Sequence, residues 1–175
     1  MRRVLIAVFL SLALLCATPA WASSVDVVMR SIDADGIGKS IGTVSASDTD
    51  QGLVIRPNLK GLSSGEYGFH LHSNGSCEPG VNKDGVQVAG LKAGGHWDPD
   101  GTGTHEGPFG KGHRGDLSRL VVSADGSTST DVVAPRLVVD DLRGKALILH
   151  AGGDTYTDTP PLGGGGARAA CGVAG

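Results

Sequence analysis

The stretch Tyr67-Gly68-Phe69-His70-Leu71-His72 alternates between apolar side chains and small or polar ones. This period of two predicts a β-strand with one face in the core, because successive side chains of a strand point to opposite sides. Phe69 and Leu71 then face the core, and His70 and His72 leave the other face together. Two histidines so placed have the spacing of two ligands of one metal ion, although a solvated polar strand face explains an isolated His-x-His pair equally well.

The rest of the chain carries many strand signals and few helical ones. Short β-branched segments recur about every 10 to 14 residues in the first half, and 29 glycines interrupt any apolar stripe of helical period. Further strands are predicted at 25–29, 41–44, 53–55, 120–122, 130–133 and 146–150. The pattern is typical of an all-β fold, a Greek-key β-barrel or sandwich of about eight antiparallel strands. Two long loops, 73–119 and 154–168, interrupt it, and loops of that length in a compact domain are commonly functional.

The first 22 residues have the composition of a signal peptide. Arg2 and Arg3 precede an almost wholly apolar run at 4–17, and Ala20-Trp21-Ala22 offers small residues at a cleavage site. The run is shorter than the roughly 20 residues that a membrane anchor needs. We therefore divide the chain into a signal peptide, 1–22, and one exported domain, 23–175, that has no membrane association after cleavage.

Charge and cysteine content describe the mature chain further. Removal of the signal leaves 13 basic and 18 acidic side chains, a formal charge of −5, so the basic surplus of a nucleic-acid binder is missing. Cys77 and Cys171 are the cysteines that remain, and in an exported protein such a pair predicts one disulfide. Two free thiols are the alternative.

All six histidines lie between His70 and His150, which indicates a metal site. His150 ends an apolar strand, His96 lies in a predicted turn, and one glycine-rich loop carries His105, His113 and Asp116. Any one of them alone would be taken as a surface residue, but the cluster of nitrogen and carboxylate donors suits zinc or copper. The sequence has no Cys-x-x-Cys-His haem motif and no helical His-Glu-x-x-His motif. An all-histidine centre that suits copper and a His/Asp centre that suits zinc remain.

Several motifs together resemble the copper/zinc superoxide dismutases. They are His70-Leu71-His72, Gly94-Gly95-His96-Trp97-Asp98-Pro99, Thr104-His105-Glu106-Gly107-Pro108, Gly112-His113-Arg114-Gly115-Asp116, Leu149-His150-Ala151-Gly152-Gly153-Asp154 and the segment from Gly163 to Gly172. The similarity runs from about Val25 to the end, and the glycine-rich end resembles the bacterial, periplasmic branch. Trp97 departs mildly from the smaller or phenolic residue expected beside His96.

The resemblance implies an enzyme that converts superoxide to dioxygen and hydrogen peroxide, with one copper ion and one zinc ion per subunit. The implied copper ligands are His70, His72, His96 and His150. The implied zinc ligands are His96, His105, His113 and Asp116. His96 then bridges the metals and carries a proton, Asp154 links a copper ligand to a zinc ligand from outside, and Arg168 attracts the anionic substrate. The disulfide is implied to hold the loop after the copper strand against the barrel.

Other functions are weighed against this one. A non-catalytic copper and zinc buffer of the cell envelope would gain nothing from an arginine or a linking acid beside the metals. A copper-chaperone partner domain would lack copper ligands, and a copper-only variant would lack zinc ligands. The sequence leaves open whether the chain is a monomer or a homodimer, and whether Lys83, Lys92, Lys111 and Arg114 help to attract superoxide.

Overall fold

The computed structural model describes residues 23–128 and 130–175, so the predicted signal peptide lies outside the described residues. Most of the regular secondary structure in the described residues is strand. The strands are β1 (Ser24–Ile32), β2 (Ile37–Thr49), β3 (Gly52–Leu59), β4 (Gly65–His72), β5 (Gly80–Val81), β6 (Gln87–Val88), β7 (Leu120–Val122), β8 (Val132–Ala134), β9 (Ala146–His150) and β10 (Arg168–Val173). One short helix, α1 (Val139–Leu142), and the 3-10 turns Leu91–Ala93 and Pro161–Gly164 complete the elements of the described chain.

Eight of these strands form one antiparallel sheet in the order β7-β4-β9-β10-β1-β2-β3-β8. The sheet curls into a nearly closed barrel, so the predicted all-β architecture of about eight antiparallel strands is confirmed. Among the strands of the described residues, β5 and β6 pair only with each other, inside the first long loop. Consecutive strands β3 and β4 are not neighbours, because the chain crosses from one part of the barrel to another between them.

The core is built from the inward faces of alternating strands. Phe69 and Leu71 of β4 and Leu147 and Leu149 of β9 are completely buried in one apolar cluster. The intervening residues leave the opposite face, which is where His70, His72 and His150 lie. The period-two prediction for β4 and β9 is therefore confirmed, and the histidines are placed by a rigid strand pair whose register joins Gly68 to His150.

Strand β10 was not predicted, because its sequence gives a weak strand signal. The segment from Arg168 to Val173 contains two alanines and a glycine, which are poor strand formers. It pairs with β9 on one side and β1 on the other, and this two-sided pairing overrides the local preference. Gly172 is required there, since a Cβ at this position would come within 2.7 Å of the Met29 sulfur.

The first long loop folds back onto the end of β4. Leu71 donates its N–H to the Gly115 carbonyl at 2.8 Å, and Trp97 donates to the Leu71 carbonyl at the same distance. Gly115 in turn donates to Trp97, and a Cβ on Gly115 would lie 2.2 Å from the Leu71 oxygen. This tight backbone contact brings the turn of His96 and the loop of Asp116 beside the β4 histidines. No helix in the described part of the chain is long and apolar enough to span a bilayer.

Candidate metal centre

Four histidines from three parts of the chain converge on one point. Two come from β4, one from the end of β9 and one from the turn after the 3-10 segment; they are His70, His72, His150 and His96. One ring nitrogen from each lies within 4.8 Å of the others, and all four residues are buried. The structure thus brings together all four residues predicted to form the all-histidine centre.

Hydrogen bonds on the outer ring nitrogens decide which nitrogen faces inward. His72 Nδ1 lies 2.9 Å from the Gly94 carbonyl and His150 Nδ1 lies 3.2 Å from the Gly166 carbonyl. A carbonyl can only accept, so both Nδ1 atoms carry the proton and both Nε2 atoms are left with a lone pair. The two Nε2 atoms are 3.3 Å apart, and facing lone pairs at that distance are favourable only with a cation between them.

The second group surrounds one carboxylate oxygen. Asp116 Oδ1 lies 2.9 Å from His96 Nδ1, 3.0 Å from His105 Nδ1 and 3.3 Å from His113 Nδ1. The other oxygen, Oδ2, accepts the Glu106 N–H at 3.2 Å. Because His96 directs Nδ1 to this group, its Nε2 is the nitrogen left for the four-histidine group, and His96 is common to both.

Asp154 connects the two groups from outside. Its Oδ2 accepts from His70 Nε2 and its Oδ1 from His105 Nε2, both at 2.8 Å, and it is 3% exposed. Each of these histidines is thereby held with its Nδ1 turned inward. Carboxylates in this position orient metal-binding imidazoles and raise their basicity. The structure places Asp154 in contact with both His70 and His105.

The four-histidine group is arranged to hold neutral rings. Burial lowers the pKa of His70 to about 3, that of His72 to about 2 and that of His150 to about 4. Repulsion from His96 adds to the lowering of the pKa in all three cases. Burial lowers the pKa of His96 as well. Neutral imidazole is the state that binds a metal, so near pH 7 these rings need not lose a proton first.

The second group, which surrounds Asp116 and is called the carboxylate group, favours charged side chains. Burial would lower the pKa of His105, but Asp116 and Asp154 outweigh it and raise that pKa to about 9. Burial would likewise raise the pKa of each carboxyl, yet hydrogen bonds from His105 and its neighbours hold both well below the ordinary aspartate value. Because the pKa of His105 is raised, metal binding at this group would release a proton near pH 7.

Two orphaned atoms test whether metals fit. His70 Nδ1 and His105 Nδ1 are buried without a hydrogen bond, and the approach of His105 Nδ1 to Asp116 is close but not aligned as one. Buried polar atoms are seldom left unpaired. One points into the four-histidine group and the other into the carboxylate group, so an ion in each would satisfy both. Four nitrogens suit copper, and three nitrogens with one carboxylate suit tetrahedral zinc.

Arg168 lies beside the four-histidine group. It begins β10 opposite His150, and its guanidinium donates to the carbonyls of Gly90 and Gly94, the latter at 2.6 Å. The Gly94 carbonyl also accepts from His72. The positive charge of Arg168 contributes to lowering the pKa of both His72 and His150, as a cation close to their rings must.

Among the other cations of the long loop, Arg114 has its charge neutralised by a neighbouring carboxylate. Its guanidinium donates to both carboxylate oxygens of Asp100, at 2.8 and 3.3 Å, and both side chains are partly exposed. This pairing weakens the expectation that Arg114 adds to the field at the centre.

Residues that the sequence did not single out support the loops. Arg136 donates to carbonyls in the loop of His113, and Arg119 donates to the Asp154 carbonyl at 2.9 Å. Tyr156 has a left-handed φ of 58° and donates its N–H to Asp154 Oδ1 at 2.7 Å. No motif marks these positions in the sequence, since a single arginine or tyrosine in a loop has no periodicity to reveal it.

Comparison with known proteins gives a consistent result over most of the chain. A family model described as copper/zinc superoxide dismutase matches residues 40–174. The Cu-Zn superoxide dismutase of Escherichia coli is 53% identical over 164 residues, which are 93% of this chain and 94% of that protein.

Solved structures agree with the sequence relatives. The Cu/Zn superoxide dismutase from Brucella abortus has a TM-score of 0.84 at 50% identity and covers 86% of this chain and 99% of its own. The solution structure titled as the monomeric copper, zinc superoxide dismutase from Salmonella enterica has a TM-score of 0.78 at 54% identity, over 87% of this chain and all of that one.

Proposed function

This chain belongs to the copper/zinc superoxide dismutase family, and we propose that its two groups of buried ligands divide the two metals between them. The activity is the conversion of two superoxide ions and two protons to dioxygen and hydrogen peroxide, with copper and zinc as cofactors. In the proposal, copper is bound by His70, His72, His96 and His150. Zinc is bound by His96, His105, His113 and Asp116.

The observation that supports this division most is that His96 alone belongs to both groups. Its Nδ1 is directed to Asp116, and its Nε2 is left for the four-histidine group. A single imidazole between two cations loses its proton more easily, because both cations share the negative charge. The carboxylate is on the zinc side only, so the three copper ligands that are not shared, His70, His72 and His150, are neutral imidazoles.

The residues of the chain have separate tasks in the reaction. Copper bound by the four histidines would supply the one-electron redox chemistry, and zinc bound by the group of Asp116 would supply a second positive charge beside His96. His96 Nε2 takes up a proton in one half of the cycle and gives it to the outgoing peroxide in the other. Asp154 keeps His70 and His105 from rotating, because it accepts a hydrogen bond from each.

Arg168 binds the incoming anion. The mature chain carries a net negative charge, so attraction must come from local cations. The guanidinium is held by two carbonyl groups, which leaves its charge uncompensated by any carboxylate among the described residues. A fixed cation near the four-histidine group concentrates superoxide there.

Arg168→Ala is expected to lower the second-order rate constant with superoxide roughly tenfold or more at low salt, with copper content unchanged. The measurement is superoxide decay at several ionic strengths. Arg56→Ala is the matched control, because Arg56 is an exposed arginine paired with Asp131. The salt dependence should weaken in the Arg168 variant and stay in the control; an unchanged rate at low salt would remove Arg168 from substrate attraction.

A buffer that binds both metals without turnover is the alternative function, and no observation favours it. The decisive experiment combines metal content by element with superoxide decay, before and after selective copper removal. Activity that is lost with copper and restored by copper alone supports the proposed division of tasks. Stoichiometric binding of both metals without superoxide decay would support the buffer.

We also propose that the chain is exported to the periplasm. The signal-like composition of 1–22 supports export, and the Cys77–Cys171 disulfide fits an oxidising compartment. The mass of the mature protein from a periplasmic extract should correspond to a chain that begins near Ser23. An unprocessed chain in the cytoplasmic fraction would contradict this.

A further inference from the structure

Arg136 reaches from the barrel into the loop that carries His113. It lies between β8 and α1, half-buried, and its terminal nitrogens donate to the carbonyls of Gly112 at 2.7 Å, His113 at 2.6 Å and Gly107 at 3.4 Å. Its Nε is buried and has no hydrogen-bond partner among the described residues. Within the described residues, all hydrogen bonds of Arg136 therefore come from its two terminal nitrogens, and every acceptor is a backbone carbonyl.

These carbonyls belong to the backbone that sets the position of the His113 ring. His113 donates its N–H to the Thr104 carbonyl at 2.9 Å, so its backbone is bonded to Thr104 through the N–H and to Arg136 through the carbonyl. Gly112 fits tightly between them, since a Cβ there would come within 2.3 Å of the Thr104 oxygen. The carbonyls of 112 and 113 are both hydrogen-bonded, which restrains the peptide planes on either side of His113.

His113 differs from the other ligand histidines in how its ring is held. The outer nitrogens of four rings have a hydrogen-bond partner, a carboxylate or a carbonyl; these rings are His70, His72, His105 and His150. His96 directs both nitrogens inward. For His113, the one ring hydrogen bond in the described chain is a long one, from Nδ1 to Asp116 Oδ1 at 3.3 Å. Its side chain is also 11% exposed, against 2% or less for His70, His96 and His105.

We propose that Arg136 is a positioning residue for zinc: it replaces, through the backbone, the outer hydrogen bond that the His113 ring lacks. The proposal rests on the assignment of zinc to the group of Asp116. Partners outside the ligand shell commonly change metal affinity by about 10- to 100-fold, and a guanidinium that fixes three carbonyls fills such a role. Arg136 acts on zinc only through His113.

The test is zinc affinity of the copper-free protein, measured by competition with a chromophoric chelator. Arg136→Met keeps the aliphatic stem and removes every donor, and it is expected to raise the zinc Kd about tenfold or more. Arg143→Met is the matched control, since Arg143 also donates to a backbone carbonyl, that of Gly175, but makes no contact with the His113 loop within the described chain. Its Kd should stay within about twofold of the parent protein.

Combining Arg136→Met with His113→Ala distinguishes the positioning of His113 from a purely structural role of Arg136. If Arg136 acts through His113, Arg136→Met has no further effect on the Kd in the His113→Ala background. A folded Arg136→Met protein with the parent Kd, or an equal loss in both backgrounds, overturns the proposal. Should Arg136→Met not fold, Arg136→Lys carries the test: a Kd raised about threefold or more supports the role, and an unchanged Kd overturns it.

The same measurement of zinc affinity also tests the assignment of zinc to the group of Asp116. Asp116→Asn must weaken zinc binding if the group of Asp116 is the zinc site. If Asp116→Asn binds zinc as the parent does, the assignment fails. If it loses zinc while Arg136→Met does not, only the role of Arg136 fails.

Discussion

Asp116→Ala is expected to lower zinc affinity by at least about 100-fold, more than the loss of an outer partner costs, while copper remains bound. Asp116 is the one carboxylate in its group, and its Oδ1 is the atom on which the Nδ1 atoms of His96, His105 and His113 converge. Without it, three imidazoles surround a cavity that has no negative charge. The four-histidine group keeps all of its members.

The thermal stability of the Asp116→Ala protein should also become insensitive to zinc. Zinc stabilises the parent protein by binding the folded chain only, so its melting temperature should rise with added zinc. Metal content by element and melting curves with and without zinc are the two measurements. Asp100→Ala is the control, because Asp100 is an exposed acid of the same loop paired with Arg114. Full zinc occupancy in the Asp116 variant would show that another group supplies the ligand.

The positions of the ligand residues could be predicted from the local sequence pattern only where those residues lie on strands. His70, His72 and His150 lie on β4 and β9, and their period of two was readable because core residues alternate with them. The strand bounds were predicted too short, since pairing extends β1, β2 and β3 well beyond their β-branched centres. Strand β10 was missed because alanine and glycine give no signal without their neighbours.

Residues of the loops had to be predicted in another way. His96, His105 and Asp116 sit on irregular backbone, where no periodicity relates sequence to direction, and resemblance to a family supplied their grouping. The structure then places them together within hydrogen-bonding distance. Which ring nitrogen faces inward depends on carbonyls distant in sequence, such as Gly166 for His150, and this could not be predicted at all.

The predicted disulfide between Cys77 and Cys171 is confirmed, and it joins the first long loop to β10. Cys77 and Cys171 are bonded, with Cα atoms 5.6 Å apart and a separation of 94 residues, and both are buried. The same two segments meet again where Arg168 of β10 donates to Gly90 and Gly94. The covalent link and the arginine contacts therefore hold one interface, between the loop 73–94 and β10.

Cys77→Ser together with Cys171→Ser is expected to lower the free energy of unfolding by about 4 to 5 kcal/mol on the chain-entropy estimate for a loop of this length. Urea unfolding of the zinc- and copper-loaded protein measures it, and the parent protein reduced with a thiol is the control that leaves the side chains unchanged. A difference below about 1 kcal/mol would contradict a stabilising role for the bond.

Removal of the disulfide should also have a local effect, because the bond attaches β10 to the segment that orients Arg168. Once the loop 73–94 is released from β10, only hydrogen bonds hold the carbonyls of Gly90 and Gly94 against the guanidinium. Amide exchange should therefore rise more in 73–94 than in β4 or β9, and the superoxide rate should fall at full copper occupancy. If exchange rises evenly over the barrel while the rate per copper stays constant, the disulfide stabilises the fold without positioning the arginine.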